Sequence, residues 1–296
     1  MTICRLTDGR MHAVNYPYDV TGSIVAYKTN PDELGRVIRC FKETSLRVQI
    51  VIVDNSPMQD LKALCDALGA EYIHTGKNLG FGAAHNIALK AVQRSKYHVV
   101  LNPDIHFDDS VLIALFEFLE ENPSVGLVMP RIVYPNGSFQ HLCKKLPTPF
   151  DIFARRLFPR RLKNYFSKRM ADFELQNLDM NSVLSVPYLS GCFMFFRMRA
   201  VAEVGYFDER FFMYFEDTDF TRRIRERYDT VFYPWSTVIH EHQRGSYKSL
   251  RLFFCALQSS VLYFNKWGWI WDEKRDLANA STGPTKYVPV ITRVDG

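Results

Sequence analysis

Between residues 23 and 128, short β-branched runs alternate with amphipathic stretches, and that alternation leaves few folds open. SIVAY (23–27) precedes Asn30-Pro31-Asp32-Glu33, where Asn suits a helix cap and Pro the first turn. QIVIV (49–53) is followed by a helix near 59–68 and a short strand at Tyr72-Ile73. A glycine-containing loop (76–82) leads into a helix near 83–94, then come VVL (99–101), a helix near 109–120 and VGLV (125–128). Runs that are apolar at every position are strands covered on both faces, and helical crossovers make them parallel. The pattern predicts an α/β fold with a mostly parallel central sheet flanked by helices.

The rhythm breaks at 143–182, read as an insertion whose stretch RRLFPRRLKNYFSKR (155–169) holds seven basic residues and no acidic one. Strand patterns return at 183–186 and 192–196, then a helix near 216–227, a strand near 230–233 and a long amphipathic helix near 247–266. Residues 1–19 read as a poorly ordered lead, 20–265 as one domain and 266–296 as a Gly- and Pro-containing tail. A chain of 296 residues is long enough for one large core.

Composition narrows the function classes. A net charge of +5 fits phosphorylated ligands or an anionic lipid surface and falls short of a nucleic-acid binder. The six cysteines form no CxxC pair, which points to reduced thiols and a cytoplasmic setting. The N-terminus has no apolar signal-peptide core, and no run of eighteen apolar residues suggests a membrane span.

Chemistry concentrates where the sheet pattern ends. Glu216, Asp217 and Asp219 follow the aromatic run Phe211–Phe215. A carboxylate at the edge of an apolar pocket keeps its basicity and can take a proton from an alcohol; the same three acids also suit the first turn of a helix. Asp54-Asn55 ends one strand, where open α/β sheets gather ligands, or merely forms an Asx turn. Asn102-Pro103-Asp104 ends another and offers an oxygen ligand for a hard cation, or a simple turn. His240 could complete a metal shell or serve structure. The loop 76–82 matches neither dinucleotide-binding nor P-loop spacing.

Taken in order, SIVAYKTNPDEL (23–34), VIVDNS (51–56), NLGFGAAHN (78–86), LNPD (101–104), YLSGCFMFFR (188–197), VGYFDERFFMYFEDTDFTRR (204–223) and VIHEHQRGS (238–246) resemble glycosyltransferase family 2, the inverting enzymes of the GT-A fold. The likeness is greatest to the bacterial rhamnosyltransferase branch and covers roughly residues 20–265. It implies that Asp54, with Asn55 beside it, binds the base of a sugar nucleotide. Tyr27, Asn78, Gly80, Phe81, Asn86 and Asn102 would join that nucleotide-facing set. It makes Asp104 and His240 the ligands of a Mg²⁺ or Mn²⁺ ion and Asp217 the general base. Gly191, Glu216 and Asp219 would lie around the sugar and acceptor. Asn102 stands where the family usually has a first aspartate, and Lys28 where many relatives have Asn. The Q-x-x-R-W motif of processive synthases is absent.

The resemblance further implies a donor, dTDP-L-rhamnose, and an acceptor that is a lipid-linked or growing surface glycan. Another nucleotide sugar, such as a UDP-hexose or UDP-galactofuranose, remains open, as does a non-catalytic nucleotide-sugar-binding module. The basic stretch 155–169 and the aromatic stretch 250–271 together suggest docking on the inner face of the cytoplasmic membrane.

Overall fold

The structure is a computed structural model that describes residues 16–92, 95–152, 166–241 and 250–288, with the backbone of 3–5 and 11–13. The chain opens with the antiparallel pair β1 (Ile3–Arg5) and β2 (Met11–Ala13). The first α/β half then runs β3 (Tyr18–Ala26), α1 (Pro31–Lys42), β4 (Val48–Asp54), α2 (Lys62–Ala67), β5 (Glu71–His74), α3 (Phe81–Ala91) and β6 (Ser95–Leu101). Its strands pair in parallel in the order β5-β4-β3-β6, with residues such as Ile24, Ile52, Val53 and Val100 fully buried. The start of α1 follows the sequence signal, because Asn30 Oδ1 accepts the Asp32 N–H at 2.8 Å with Pro31 in the first turn.

The second half holds β7 (Ile105–Phe107), α4 (Asp109–Glu121), β8 (Val125–Val133), α5 (Ser167–Phe173), β9 (Leu184–Ser185), β10 (Phe193–Arg197) and α6 (Met198–Val204). It ends with α7 (Glu216–Arg225), β11 (Asp229–His240), α8 (Leu250–Trp267), α9 (Glu273–Ala280) and β12 (Gly283–Pro284). Strand β10 runs antiparallel between β6 and β8, and β8 pairs in parallel with β11. The long ladders are therefore parallel, and a single reversed strand joins the two halves. Helices α1 and α4 cover one face, and α3, α6 and α7 the other.

Several elements depart from expectation. The strand expected near 230–233 runs on to His240 as β11, with a register break between Tyr233 and Thr237. Pro234 lies in that break and has no N–H to give the ladder. Within 266–296, read from sequence as a tail, the described residues include helix α9 and the short strand β12. Asp272 caps α9 through the Arg275 N–H, 3.0 Å, and forms a buried two-pronged pair with Arg222 at 2.6 and 2.7 Å. Most of the basic stretch, residues 153–165, lies outside the described residues, as do 242–249.

Candidate active site

Asp54 ends β4 at the carboxyl edge of the parallel strands and is fully buried. Its Oδ1 accepts the Ser56 N–H at 2.8 Å and its Oδ2 the Tyr72 hydroxyl at 2.7 Å. Burial, and then that bond to a carboxylate, raises the Tyr72 phenol well above its ordinary pKa. Asn55 donates its N–H to Ala26 O at 2.8 Å and its Nδ2 to Gly80 O at 3.1 Å, while Asn78 Oδ1 accepts the Gly80 N–H at 2.9 Å. These contacts lock the turn that launches α3. Gly80 has φ 87, and a Cβ there would stand 2.1 Å from Phe212 O, so only glycine fits. Tyr27 caps the same edge with its ring partly exposed.

Asn86 does not face this edge. Its amide donates to Phe207 O and Glu209 Oε1, both at 2.9 Å, and accepts the Phe207 N–H at 3.0 Å. With all its polar atoms engaged and 1% of its surface exposed, Asn86 staples α3 to the 207–209 turn.

The second cluster arises from topology. Antiparallel pairing of β7 with β11 sets Ile105 opposite His240, and the Glu241 N–H donates to Asp104 O at 3.0 Å. His240 Nε2 then lies 3.3 Å from Asp104 Oδ1 and 3.4 Å from Asn102 Nδ2. Gln140 decides which ring nitrogen carries the proton. Its Nε2 donates to His240 O at 2.7 Å and Val133 O at 3.2 Å, so its Oε1 is left to accept from His240 Nδ1 at 3.0 Å. In the neutral ring Nδ1 is thus the donor, and the Nε2 lone pair faces the Asp104 carboxylate.

An imidazole lone pair and a carboxylate oxygen 3.3 Å apart suit a shared divalent cation, since two bonds of about 2.1 Å meeting at right angles set their ligand atoms about 3 Å apart. Gln140 holds the imidazole from behind, as metal-binding histidines are commonly held. Among the described residues no group of three or more His, Cys, Asp or Glu side chains gathers to hold a metal ion. Asp104 and His240 therefore fit an ion whose remaining ligands are water and substrate phosphate.

The third cluster sits at the start of α7. Tyr214 and Phe215, immediately before it, adopt φ 70 and φ 68, a left-handed conformation that side chains disfavour. That turn aims Asp217 back at the 188–191 segment. Asp217 Oδ2 accepts the Gly191 N–H at 2.9 Å and the Tyr188 hydroxyl at 3.1 Å, and Oδ1 accepts the Thr218 N–H at 2.7 Å. Burial raises the Asp217 pKa, and the Gly191 and Thr218 N–H groups hold it back. Glu216 is 5% exposed, and its Oε2 has no hydrogen-bond partner among the described residues. Burial first, and the neighbouring Asp217 charge second, push the Glu216 carboxyl well up. Of the two, Glu216, whose Oε2 has no partner among the described residues, is the better seat for a shared proton, and Asp217, held by two N–H groups, the better carboxylate.

Asp219 lies on the far side of the same helix. Two residues along a helix is a turn of about 200°, so Asp217 and Asp219 face opposite sides of α7. Asp219 is fully buried against Arg223 Nε (2.9 Å), Lys266 Nζ (2.7 Å) and Trp267 Nε1 (2.8 Å). It clamps α7 to α8.

Residues 191–192 join the second and third clusters. The Gly191 N–H holds Asp217, and Cys192 O accepts the Asn102 N–H at 2.9 Å. The Cys192 thiol is pushed up to about 12, chiefly by burial, with Asp104 and Asp217 both adding to it. A Cβ on Gly191 would lie 3.1 Å from the Phe81 ring and 3.4 Å from Asp217 Cβ, so a side chain at this junction would press on both. Sequence reasoning missed Gln140, which lies in the connection after β8 with no local signal. It also missed the role of Tyr188, although Tyr188 stands in a quoted motif.

Residues 23–205 match the family described as Glycosyl transferase family 2. That span includes Asp54, Asp104 and Gly191, while Asp217 and His240 lie beyond it. The chain is 27% identical over 190 residues to an N-acetylglucosaminyl-diphospho-decaprenol L-rhamnosyltransferase of Mycobacterium tuberculosis, across 58% of this chain and 59% of that protein. It is 24% identical over 245 residues to the rhamnosyltransferase WbbL of Escherichia coli, across 77% and 87%. Its structure superposes on a mannosyltransferase of Pyrobaculum calidifontis in complex with GDP-Man and Mn²⁺ at TM-score 0.56 and 15% identity, covering 85% of this chain and 64% of the other. That last likeness is one of fold, the GT-A arrangement.

Proposed function

Since this chain belongs to glycosyl transferase family 2, we propose that it transfers one sugar from a nucleotide diphosphate donor with inversion at the anomeric carbon. The observation that carries the reading is the convergence of Asp217 and the Asp104–His240 pair on residues 191–192. Asp217 accepts the proton of an acceptor hydroxyl as that oxygen attacks the anomeric carbon from the side opposite the diphosphate. Glu216 keeps the second proton, so the pair carries one negative charge rather than two. Tyr188 and the Gly191 N–H fix the carboxylate's direction. Asp104 and His240 would hold a Mg²⁺ or Mn²⁺ ion, which when bound offsets the charge growing on the departing diphosphate. Asp54 would meet the base with the lone pairs left over from its turn, which requires the covering turn to give way.

The proposed donor is dTDP-L-rhamnose, supported by the rhamnosyltransferase relatives. The proposed acceptor is a lipid-linked or growing surface glycan at the cytoplasmic membrane, where the enzyme would act peripherally. A thermal-shift panel of dTDP-, UDP- and GDP-sugars, each with Mg²⁺, Mn²⁺ or chelator, tests the donor. The reading expects the largest shift with dTDP-rhamnose plus metal. A larger metal-dependent shift with a UDP-hexose or UDP-galactofuranose replaces the donor. Binding without any release of nucleoside diphosphate to an acceptor makes the chain a binding module.

A further inference from the structure

Helix α8 presents two unlike faces. Ala256, Ser259, Ser260, Tyr263 and Phe264 are buried, with Phe264 and Tyr263 packed against Phe211 and Phe215. On the other side Leu250 (80% exposed), Phe254 (62%), Leu257 (36%) and Val261 (37%) face outward. At 100° per residue these four fall within an arc of about 60° and make a stripe about 16 Å long. Just past the helix, Trp269, Ile270 and Trp271 are exposed as well, Trp271 by 91%. A helix on a water-facing surface puts polar residues outward, so an outward apolar stripe ending in tryptophans marks a contact surface.

We propose that this face of α8 docks in the plane of an anionic lipid surface. Charge selects that occupant. Residues 250–271 contain two basic residues, Arg251 and Lys266, and no acidic one; Lys266 is taken up by Asp208 and Asp219, while Arg251 lies on the exposed side of α8 beside the stripe. Two copies meeting through this face would bury Arg251 against an apolar stripe that offers no acid, whereas anionic headgroups answer Arg251 directly. No helix among the described residues is long and apolar enough to cross a membrane, so α8 lies along the interface with its tryptophans at headgroup depth. The docked helix also holds the catalytic one. Trp267 Nε1 and Lys266 Nζ bind Asp219 of α7, and the Ser259 hydroxyl binds Met213 O in the turn before it. Docking is read from α8 alone; its use, bringing a lipid-linked acceptor to Asp217, rests on the transferase reading.

The test is co-sedimentation of the full chain with phosphatidylcholine vesicles and with vesicles containing phosphatidylglycerol, without donor present. Binding should favour the anionic vesicles, fall as salt rises and shift tryptophan emission to the blue. The triple variant Phe254→Gln, Leu257→Gln, Val261→Gln should lose about tenfold or more of that binding, because three apolar side chains leave the interface. Its hydrolysis of soluble donor should be unchanged, since all three sites point away from the fold. Equal binding to both vesicle types, no binding to either, or unaltered binding by the triple variant overturns the proposal. So does a lipid-free dimer on gel filtration that the triple variant dissolves, which would assign the face to a second copy. Because binding is read without turnover, its failure and that of the transferase reading are separate results.

Discussion

On either side of β6 the sheet treats buried polar groups in opposite ways. On the parallel side, Ser95 Oγ, Thr21 Oγ1, His98, Ser23 Oγ and His85 form one buried chain with every link at 2.8 Å. Burial drives the His98 imidazole down to about 3 and His85 well below its ordinary value, so both are neutral. On the side of β10, β8 and β11, the start of α7 holds the buried pair Glu216 and Asp217, whose pKa values are raised, and the backbone just before the pair is strained. The Ser95–His85 chain is inert and holds shape within the parallel half. The mixed half keeps a carboxylate basic and a lone pair facing a carboxylate oxygen, and those are the groups that can react.

The sharpest break of that comparison is Asp217→Asn. It keeps the shape and the Gly191 contact but removes the base, so transfer should fall by roughly 10²–10⁴-fold while donor binding survives. Glu216→Gln mimics the protonated acid and should leave transfer within about threefold of wild type. If steady-state rates show the reverse order, Glu216 is the base. Next in size, Asp104→Ala should weaken metal-dependent binding of nucleoside diphosphate by about 100-fold, read by Mn²⁺ titration. Gln140→Met should cost about tenfold in the same titration, since it frees the His240 ring without removing a ligand. An unchanged Mn²⁺ affinity in Gln140→Met would mean that the tautomer is set some other way.

The smallest effect distinguishes the halves by sign. The histidines have depressed folded pKa values, so their contribution is present above about pH 6.5 and is lost as pH falls toward about 3. Each can add a slope of about 1.4 kcal/mol per pH unit in that window. Glu216 and Asp217 have raised folded pKa values, so their contribution is present below about pH 4 and is lost as pH rises through those values. The two trends oppose each other between about pH 4.5 and 6.5. Removing the carboxylates with Glu216→Gln and Asp217→Asn should therefore steepen the acid loss of stability, measured by urea denaturation across that range. An unchanged slope would mean that the pair titrates alike folded and unfolded.

The legibility of the sequence follows the same division. The parallel half announces itself locally, because apolar runs and the Asn30-Pro31 cap are read a few residues at a time. Asp104, His240 and Asp217 stand out as chemistry at strand and helix ends, but their meeting depends on β10 running antiparallel between β6 and β8 and on β7 pairing with the end of β11, which no local pattern encodes. Helix geometry alone puts Asp219 opposite Asp217. The partners of Asn86, Phe207 and Glu209, are distant in sequence, so its stapling contact has no local signal. Helix α6 was missed since it starts directly after β10, where the N-cap is Arg197 with no side-chain cap bond. Gln140 is set by tertiary contacts alone.

In the proposed reaction a single displacement is assisted by Asp217 and by an ion held at Asp104 and His240. The most direct test follows one turnover of the full chain with its best donor and a lipid-linked acceptor analogue, reading the anomeric configuration of the new bond by proton NMR, with Mn²⁺ and with excess chelator. The account predicts the inverted anomer, nucleoside diphosphate released in step with it, and no product in chelator. A retained anomer, or full turnover in chelator, would contradict it.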